Sequence, residues 1–312
     1  MPRRAALPGE LDGRSFGLQF AASLGVSRRR LQWSDVGHPF HGIYTVGVDT
    51  TDLVERCRAV APRLDPREYF SHATAARLWG IPLPRAYDPS EAIHVTALGV
   101  DDRTRPAGLV GWRVEHHPPE VRQVGQLPVI APADVWATLG MRGAVIPRAQ
   151  LFPEWLVAAG DYLVSGKRVP GGRLPALASL ADLRAAALRR AGKRGSRVLH
   201  EAIPLIRQPV DSPRETFLRL ALVAHGLPEP VVQPSILTRA GMRHPDLGYV
   251  DERVLLEYQG DEHRTSRARW LRDLTRVQEF EDAGFRVILV GDDDLRPGAV
   301  DALCARVRRA LA

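Results

Sequence analysis

The residues of this chain with the clearest capacity for chemistry are acidic side chains in its last hundred positions. Asp246 follows Pro245 in an extended segment, and Glu257 comes eleven residues later at the end of an apolar run. Gln259 shares a face with Glu257, because side chains on a strand repeat every two residues. Carboxylates brought together by a hairpin suit Mg²⁺ or Mn²⁺. A metal held in this way neutralises a phosphate and activates a water for phosphodiester hydrolysis.

An acid inside an apolar strand requires an explanation. Glu257 stands in the run Val-Leu-Leu-Glu-Tyr, and a buried lone carboxylate is costly unless it is paired or bound to a metal. Metal ligation is one explanation. The alternative is that Glu257 lies at a solvated end of its strand.

The elements that must position these acids are ordered along the segment. Ser212 and Pro213 open a helix with a capping side chain and a proline in the first turn, and Glu215 follows three residues after the cap. The apolar spacing predicts strands at 231–233, 242–249, 253–259 and 285–290. It also predicts a long helix at 267–283 that buries Trp270, Leu274 and Val277.

Several ordered motifs between residues 211 and 300 point to one family. They are Ser212-Pro213-x-Glu215, Gln233, Pro245-Asp246-Leu247, Glu257-Tyr258-Gln259-Gly260-x-x-His263, Trp270-x-x-Asp273-x-x-Arg276 and Gly284-Phe285-Arg286-Val287. Together they resemble the endonuclease-like domains of the PD-(D/E)XK superfamily, in the branch related to very-short-patch repair endonucleases. The resemblance implies an α/β fold with a mixed sheet flanked by helices.

The resemblance also implies roles for the acids. Asp246 and Glu257 would be ligands of Mg²⁺ or Mn²⁺, and Glu215 would bind a second metal or orient water. The family often has a lysine where this chain has Gln259. Glutamine can orient a water through hydrogen bonds but carries no charge, which weakens the expectation of activity.

The resemblance implies roles for three further residues, and each of them also has an alternative explanation. His263 would contact phosphate or assist proton transfer; the alternative is a histidine in a surface loop. Asp273 and Arg276 stand three residues apart on one helix face and can pair with each other. Their other roles would be to fix His263 or to hold the scissile phosphate.

The first sixty residues predict a small DNA-binding unit. A short helix from Ser15 to Ser23, a turn, a basic helix from Arg28 to Trp33 and a strand from Ile43 to Val46 suit a winged helix-turn-helix. Its DNA-binding residues would be Arg28, Arg29 and Arg30. The alternative is that these arginines form a solvated face.

The same region is similar to the N-terminal part of AbiEi-type abortive-infection antitoxins. The motifs that carry this looser resemblance are Leu24-Gly25-Val26-Ser27, Gly42-Ile43-Tyr44 and Ser71-His72-x-Thr74-Ala75-Ala76. It implies a cognate toxin, or a second copy of the chain, as a partner.

Charge and turn signals divide the chain into three parts. We expect a winged helix-turn-helix-like domain at 1–62, a mixed α/β middle region with a helical linker at 63–210, and a restriction-endonuclease-like domain at 211–312. The last part holds 15 arginines against 17 acids, whereas the rest holds 28 Lys and Arg against 19 acids. The positive charge therefore lies away from the predicted metal site. The basic stretch 184–197 would either grip a DNA backbone or keep a linker soluble.

Composition excludes some classes of protein. No apolar run approaches the roughly 18–20 residues of a membrane span, and the basic start has no apolar segment behind it, which argues against a secretory signal. Cys57 and Cys304 lie far apart, without neighbouring ligands, which favours reduced thiols in a cytoplasmic protein.

The sequence as a whole predicts a magnesium-dependent endodeoxyribonuclease that acts in DNA repair, defence or a toxin–antitoxin system. One alternative is a non-catalytic DNA-binding antitoxin or transcriptional regulator with a degenerate nuclease fold. Another is an RNA-processing nuclease, since a carboxylate–metal site does not itself choose the sugar.

Overall fold

The structure, a computed structural model, describes residues 6–99, 107–114, 118–141, 153–169, 171–260 and 267–312, with only the backbone for 267–273. The chain is an α/β protein, as predicted. It divides into two units, of which the first comprises Met1–Leu151 and Ala186–Ser196 and the second Phe152–Ala185 and Arg197–Ala312. Among the described residues, no helix has both the length and the apolar character needed to cross a bilayer.

The first unit begins with a small three-stranded sheet. Its elements are β1 (Arg14–Gly17), α1 (Leu18–Ser23), β2 (Gly37–Phe40) and β3 (Ile43–Val46), and the strand order is β1-β3-β2 with antiparallel pairing. Apolar side chains that include Leu11, Phe16, Leu31 and Tyr44 form its core. Helix α2 (Leu53–Val60) follows, capped by Asp52, whose Oδ1 accepts the N–H of Glu55 at 2.9 Å.

The predicted helix-turn-helix is wrong in its second helix. The strand at 43–46 is confirmed, but the first helix is shorter than predicted and starts at Leu18. Where the basic helix was expected there is only a 3-10 turn, Arg30–Gln32. The side chain of Arg30 is buried, and its Nη1 and Nη2 donate to Asp35 at 2.9 and 2.6 Å. This inward ion pair anchors the turn and removes Arg30 from the exposed face.

A five-stranded mixed sheet forms the rest of the first unit. Its elements in chain order are β4 (Glu68–Phe70), α3 (His72–Leu78), β5 (Ile93–Leu98), β6 (Leu109–Val114), β7 (Val121–Val124), β8 (Leu127–Ile130) and α4 (Pro132–Leu139). The strand order is β6-β5-β4-β8-β7. Helix α3 packs against α4 and β5.

The second unit starts with helix α5 (Pro153–Ser165) and a short hairpin. The elements that follow are β9 (Arg168–Val169), β10 (Gly172–Arg173), α6 (Leu180–Arg189), α7 (Ser196–Ala202), α8 (Pro213–Ala224), β11 (Val231–Val232), β12 (Ile236–Thr238), β13 (Gly241–Arg243), β14 (Leu247–Tyr249), β15 (Val254–Gln259), α9 (Arg267–Asp282), β16 (Arg286–Gly291) and α10 (Val300–Leu311). The last four residues of α6 and the first residue of α7 belong to the first unit. The larger sheet has the order β11-β14-β15-β16. Strands β14 and β15 are antiparallel, and β15 and β16 are parallel, joined by a connection that contains α9.

Most of the predicted elements of this unit are confirmed, with two corrections. The strand expected at 242–249 is two strands, because β13 pairs with β12 whereas β14 pairs with β11 and β15. Pro245 stands at the break and cannot donate a backbone hydrogen bond to a sheet. In α9, Leu274 is 40% exposed, and Phe280 is buried instead, in a cluster with Ile236 and Leu255.

The two-unit division also differs from the three parts predicted. Residues 153–165 were expected in the middle region, but α5 packs against α8 in the second unit. The reason is a buried polar contact: Asp161 accepts hydrogen bonds from the Thr216 hydroxyl at 2.8 Å and from Arg219 Nη2 at 3.1 Å. Separating α5 from α8 would leave this carboxylate and guanidinium without each other.

Candidate functional site

A cavity of about 400 Å³ lies in the second unit, at the C-terminal end of β15. Its lining contains the three predicted acids together with Gln259, Arg276 and Arg214. Glu215 lies in the first turn of α8, Asp246 directly precedes β14, and Glu257 lies in β15. The fold thus brings Glu215, Asp246 and Glu257 to one cavity, although they are spread over more than forty positions of the sequence.

Strand register places Asp246 beside Glu257. Leu247 pairs with Leu256 across β14 and β15, so one step back along the antiparallel ladder sets Asp246 opposite Glu257. The Oδ2 atom of Asp246 accepts the backbone N–H of Tyr258 at 2.7 Å. That hydrogen bond ties the carboxylate to the neighbouring strand beyond the last pair of the ladder.

Glu215 enters from the start of α8. The Oγ of Ser212 caps this helix by accepting the Glu215 N–H at 3.3 Å, as the sequence predicts. The Glu215 carboxylate is almost fully buried, and its Oε2 accepts the N–H of Asp211 at 3.1 Å and Nε2 of Gln233 at 3.4 Å. Gln233 has a φ of 45°, in the left-handed region that few non-glycine residues adopt.

Burial perturbs the pKa values of two of the acids. Burial raises the pKa of Glu215 to about 8, and the nearby Asp246 carboxylate contributes to this rise. Burial also raises the pKa of Asp246 to about 6, against the lowering effect of the Tyr258 N–H and of Arg276. Near neutral pH the pair therefore tends to hold a proton, and a cation between the two carboxylates would relieve the same repulsion.

Glu257 has a different electrostatic partner. Its Oε1 accepts a hydrogen bond from Arg276 Nε at 3.1 Å and lies 3.0 Å from Nη2. The same guanidinium donates to the carbonyl of His244 and stands over the ring of Phe280, 5.4 Å from its centroid. Arg276 on α9 thus pairs with Glu257 on β15. The side chain of Asp273, the alternative partner of Arg276, lies outside the described residues. His263 lies outside them entirely.

The donor set fits a divalent cation in part. Glu215 and Asp246 carry hard oxygen atoms of the kind that divalent cations prefer, and a bound metal would reduce the repulsion between their charged forms. Among the residues that the structure describes, no three carboxylate, imidazole or thiol side chains form a ready metal-binding group. Arg276 contacts Oε1 of Glu257 and would compete with a metal for that oxygen atom.

Two features of the site were not predicted. Arg214 lines the cavity, and its Nη2 pairs with Asp292 at 2.8 Å. Asp211, whose N–H bonds Glu215, is held by Arg168 at 2.8 Å and Arg173 at 2.5 Å. Arg214 was recognisable as a basic residue beside the helix cap. The other two arginines lie in a segment that local patterns assign to another part of the chain.

The three arginines of the predicted N-terminal DNA contact differ in exposure. Arg28 and Arg29 are exposed, as phosphate-binding side chains must be. Arg30 is buried, pairs with Asp35 and stands over the ring of Trp33 at 5.2 Å. Its place among the DNA-binding residues is therefore wrong, because both its charge and its stem are used inside the first unit.

Comparisons with known proteins place the chain near uncharacterised relatives. No family model matches it. It is 28% identical over 276 residues to a protein of Mycobacterium tuberculosis, named uncharacterized protein Rv2248 in one strain and MT2308 in another. The match covers 86% of this chain and 90% of the relative. A crystal structure of the Mycobacterium tuberculosis protein Rv2827c aligns with 63% of this chain and 78% of its own, at 16% identity and a TM-score of 0.33.

Proposed function

We propose that the second unit is a metal-dependent DNA endonuclease that hydrolyses phosphodiester bonds in a cytoplasmic repair, defence or toxin–antitoxin system. The observation that carries this proposal is the gathering of Glu215, Asp246, Glu257 and Gln259 around one cavity. The elements that hold them are a capped helix and an antiparallel strand pair, followed by a parallel strand. This is the arrangement that the resemblance to very-short-patch repair endonucleases leads one to expect.

Each residue has a role that follows from its position. Asp246, Glu257 and Glu215 would hold Mg²⁺ or Mn²⁺, which when bound supplies charge neutralisation and an activated water. Gln259, two residues after Glu257 on the strand, can orient that water through its amide. Arg276 and Arg214 place guanidinium groups at the cavity, where they can bind a phosphate.

Cleavage assays on the full chain test this proposal. Plasmid, single-stranded DNA and RNA would each be incubated with and without Mg²⁺ or Mn²⁺. We expect metal-dependent cutting of DNA that Glu257→Ala and Asp246→Asn abolish. DNA binding should persist in both variants, since removing an acid near the phosphates cannot weaken their attraction to the protein. Glu281→Gln, at an exposed position of α9, is the matched control and should cut normally.

Three results would reject the endonuclease. Cutting that survives Asp246→Asn would place the active site elsewhere, or in a contaminant. Metal-dependent cleavage of RNA but not of DNA would make the protein an RNA-processing nuclease. Failure to cut any substrate, with DNA binding intact, would favour the second candidate.

That second candidate is a non-catalytic DNA-binding antitoxin or transcriptional regulator. It is favoured by the engagement of Glu257 with Arg276 and by the uncharged Gln259 at the position where the family often has lysine. Under this hypothesis the cavity is a degenerate site, and the exposed Arg28 and Arg29 contribute to DNA affinity. Wild-type protein and Glu257→Ala would then bind DNA equally well and leave it uncut with every metal.

A further inference from the structure

A second cavity, of about 380 Å³, lies wholly within the first unit. Its lining comes from the start of α3, from β5 and β6, from α4, and from the basic turn that follows α6. The apolar part of the wall includes Val114, Pro119, Ile130 and Ala137. A volume of this size is at the lower end of the range of small-molecule sites.

An aromatic group forms one side of this cavity. The rings of His72 and Trp112 stack with centroids 4.0 Å apart and an interplanar angle of 16°. The indole Nε1 of Trp112 donates to His94 Nδ1 at 2.9 Å, and the Oγ of Ser71 lies 3.0 Å from His72 Nδ1. These contacts fix the planes of the rings, so the cavity has a rigid flat wall beside which a planar ligand can stack.

The backbone conformation, the pKa and the hydrogen bonding of His72 are all unusual. Its φ of 49° lies in the left-handed region, and such strain in a non-glycine residue is often found at ligand sites. Burial, together with His94 and Arg190, holds the pKa of the His72 ring well below its usual range. The residue is 3% exposed, and its Nε2 has no hydrogen-bond partner within the described part of the chain. Buried polar atoms without a partner are uncommon in native proteins.

The opposite side of the cavity is basic. Among the described residues that line it, Asp134 is the one carboxylate and five side chains are cationic: Arg113, Arg189, Arg190, Lys193 and Arg194. Arg189 Nη2 pairs with Asp134 at 2.7 Å, whereas Arg190, Lys193 and Arg194 form no ion pair among the described residues. The Nε of Arg190 is buried and also lacks a partner there.

The basic turn has a defined backbone rather than an irregular one. Lys193 N–H donates to the Arg190 carbonyl at 3.0 Å, and Ser196 N–H donates to that of Lys193 at 3.1 Å. Gly195 has a φ of +89°, and a Cβ there would stand 2.1 Å from the carbonyl oxygen of Gly140. Only glycine allows this approach, which holds the cations against the end of α4.

We propose that this cavity binds a nucleoside diphosphate or triphosphate, with its base beside Trp112 and His72 and its phosphates against Arg190, Lys193 and Arg194. The flat wall accounts for the base. The positive charge of this wall is greater than the negative charge of the Asp134 carboxylate. A chain of phosphates would balance the remainder. A hydrogen bond from the ligand would also give a partner to the buried His72 Nε2. This site is independent of the endonuclease proposal.

Isothermal titration calorimetry on the full chain tests the proposal with ADP, GDP, adenosine and inorganic pyrophosphate. We expect at least one of the two diphosphates to bind, and adenosine and pyrophosphate to bind at least about tenfold more weakly. The double variant Lys193→Ala, Arg194→Ala removes two exposed side chains without touching the core, and should weaken nucleotide binding about tenfold or more. Trp112→Leu should weaken it about fivefold or more, because leucine offers the base no ring to stack on.

Arg197→Ala is the matched control. Arg197 belongs to the same basic stretch, is 91% exposed and pairs with Glu201, but it does not line the cavity. Its replacement should leave nucleotide binding unchanged. The proposal is overturned if neither diphosphate binds at millimolar concentration, or if the double variant binds as the wild type does. Pyrophosphate binding as tightly as ADP would overturn the base-binding part and leave a phosphate site. Binding of a DNA duplex that the double variant loses, with no nucleotide binding, would assign these cations to DNA instead.

Discussion

Glu215→Gln should make the metal-free protein more stable than the wild type at pH 8, and the difference should vanish at pH 5. Burial raises the pKa of Glu215 to about 8 from its ordinary value of 4.5, so between these limits the folded state keeps a proton that the unfolded state has lost. Stability of the wild type therefore falls as pH rises through this window. One proton corresponds to about 1.4 kcal/mol per pH unit, and the loss from pH 5 to pH 8 is on the order of 3 kcal/mol.

Glutamine keeps the shape and an acceptor oxygen for the Asp211 N–H, but it cannot ionise. Urea unfolding of the full chain at pH 5, 6, 7 and 8, with chelator present, measures the two free energies of unfolding. Glu281→Gln makes the same chemical change at an exposed position and should follow the wild type. If the wild type and Glu215→Gln lose stability in parallel from pH 5 to pH 8, the buried carboxyl is not the source of the pH dependence.

The same variant tests the metal site. A divalent cation that binds only the folded state stabilises it by RT ln(1 + [L]/Kd), or about 2.7 kcal/mol when the metal concentration is a hundred times Kd. Wild type at pH 8 should recover stability when Mg²⁺ or Mn²⁺ is added. Glu215→Gln should recover little, because half of the repelling pair is gone. Equal stabilisation of both proteins would show that the metal binds elsewhere.

The remaining predictions concern DNA affinity and the stability of each unit. Replacing Arg28 and Arg29 together with alanine should reduce the salt dependence of DNA binding by about 0.9 log unit of slope for each phosphate that the protein no longer neutralises; an unchanged slope would make them a solvated face. Arg219→Met should lower the free energy of unfolding by about 3–5 kcal/mol, measured by urea titration, because it strands the buried Asp161. Gly195→Ala should destabilise the protein by more than about 1 kcal/mol in the same assay, since its φ of +89° disfavours any side chain.

The elements around the acids were predictable because their signals are local. Ser212 caps α8, and Gly284, with a φ of +84°, follows the helix that ends at Asp282. An apolar run bounded by polar residues predicts β15, and the eleven-residue spacing places Asp246 beside Glu257 once the strands pair. Each of these inferences needs only a few neighbouring residues.

The errors of prediction have causes that lie outside the local pattern. No short stretch of sequence shows that Asp161 lies beneath Thr216 and Arg219, more than fifty residues away, and so the boundary at 211 excludes α5 from its own unit. The basic helix expected from Arg28 fails for a different reason, a side-chain contact between residues five apart that apolar spacing does not reveal. The ion pair between Arg30 and Asp35 favours a tight turn, and helical propensity is too weak to oppose such a contact.

Arg276 connects the two candidate functions of the second unit. Its guanidinium compensates the charge of Glu257, whereas Glu215 and Asp246 face each other with raised pKa values. A cation entering the cavity would therefore gain most between Glu215 and Asp246, whose pKa values burial raises. Glu257 would become a ligand through Oε1 only if Arg276 released that oxygen, and the guanidinium could then bind a phosphate. If substrate phosphate draws Arg276 away, metal and DNA assemble the site together; if Arg276 stays on Glu257, the same residues form a cavity that binds without cutting. On the proposed function, the exchange of this ion pair would separate an endonuclease from a DNA-binding protein.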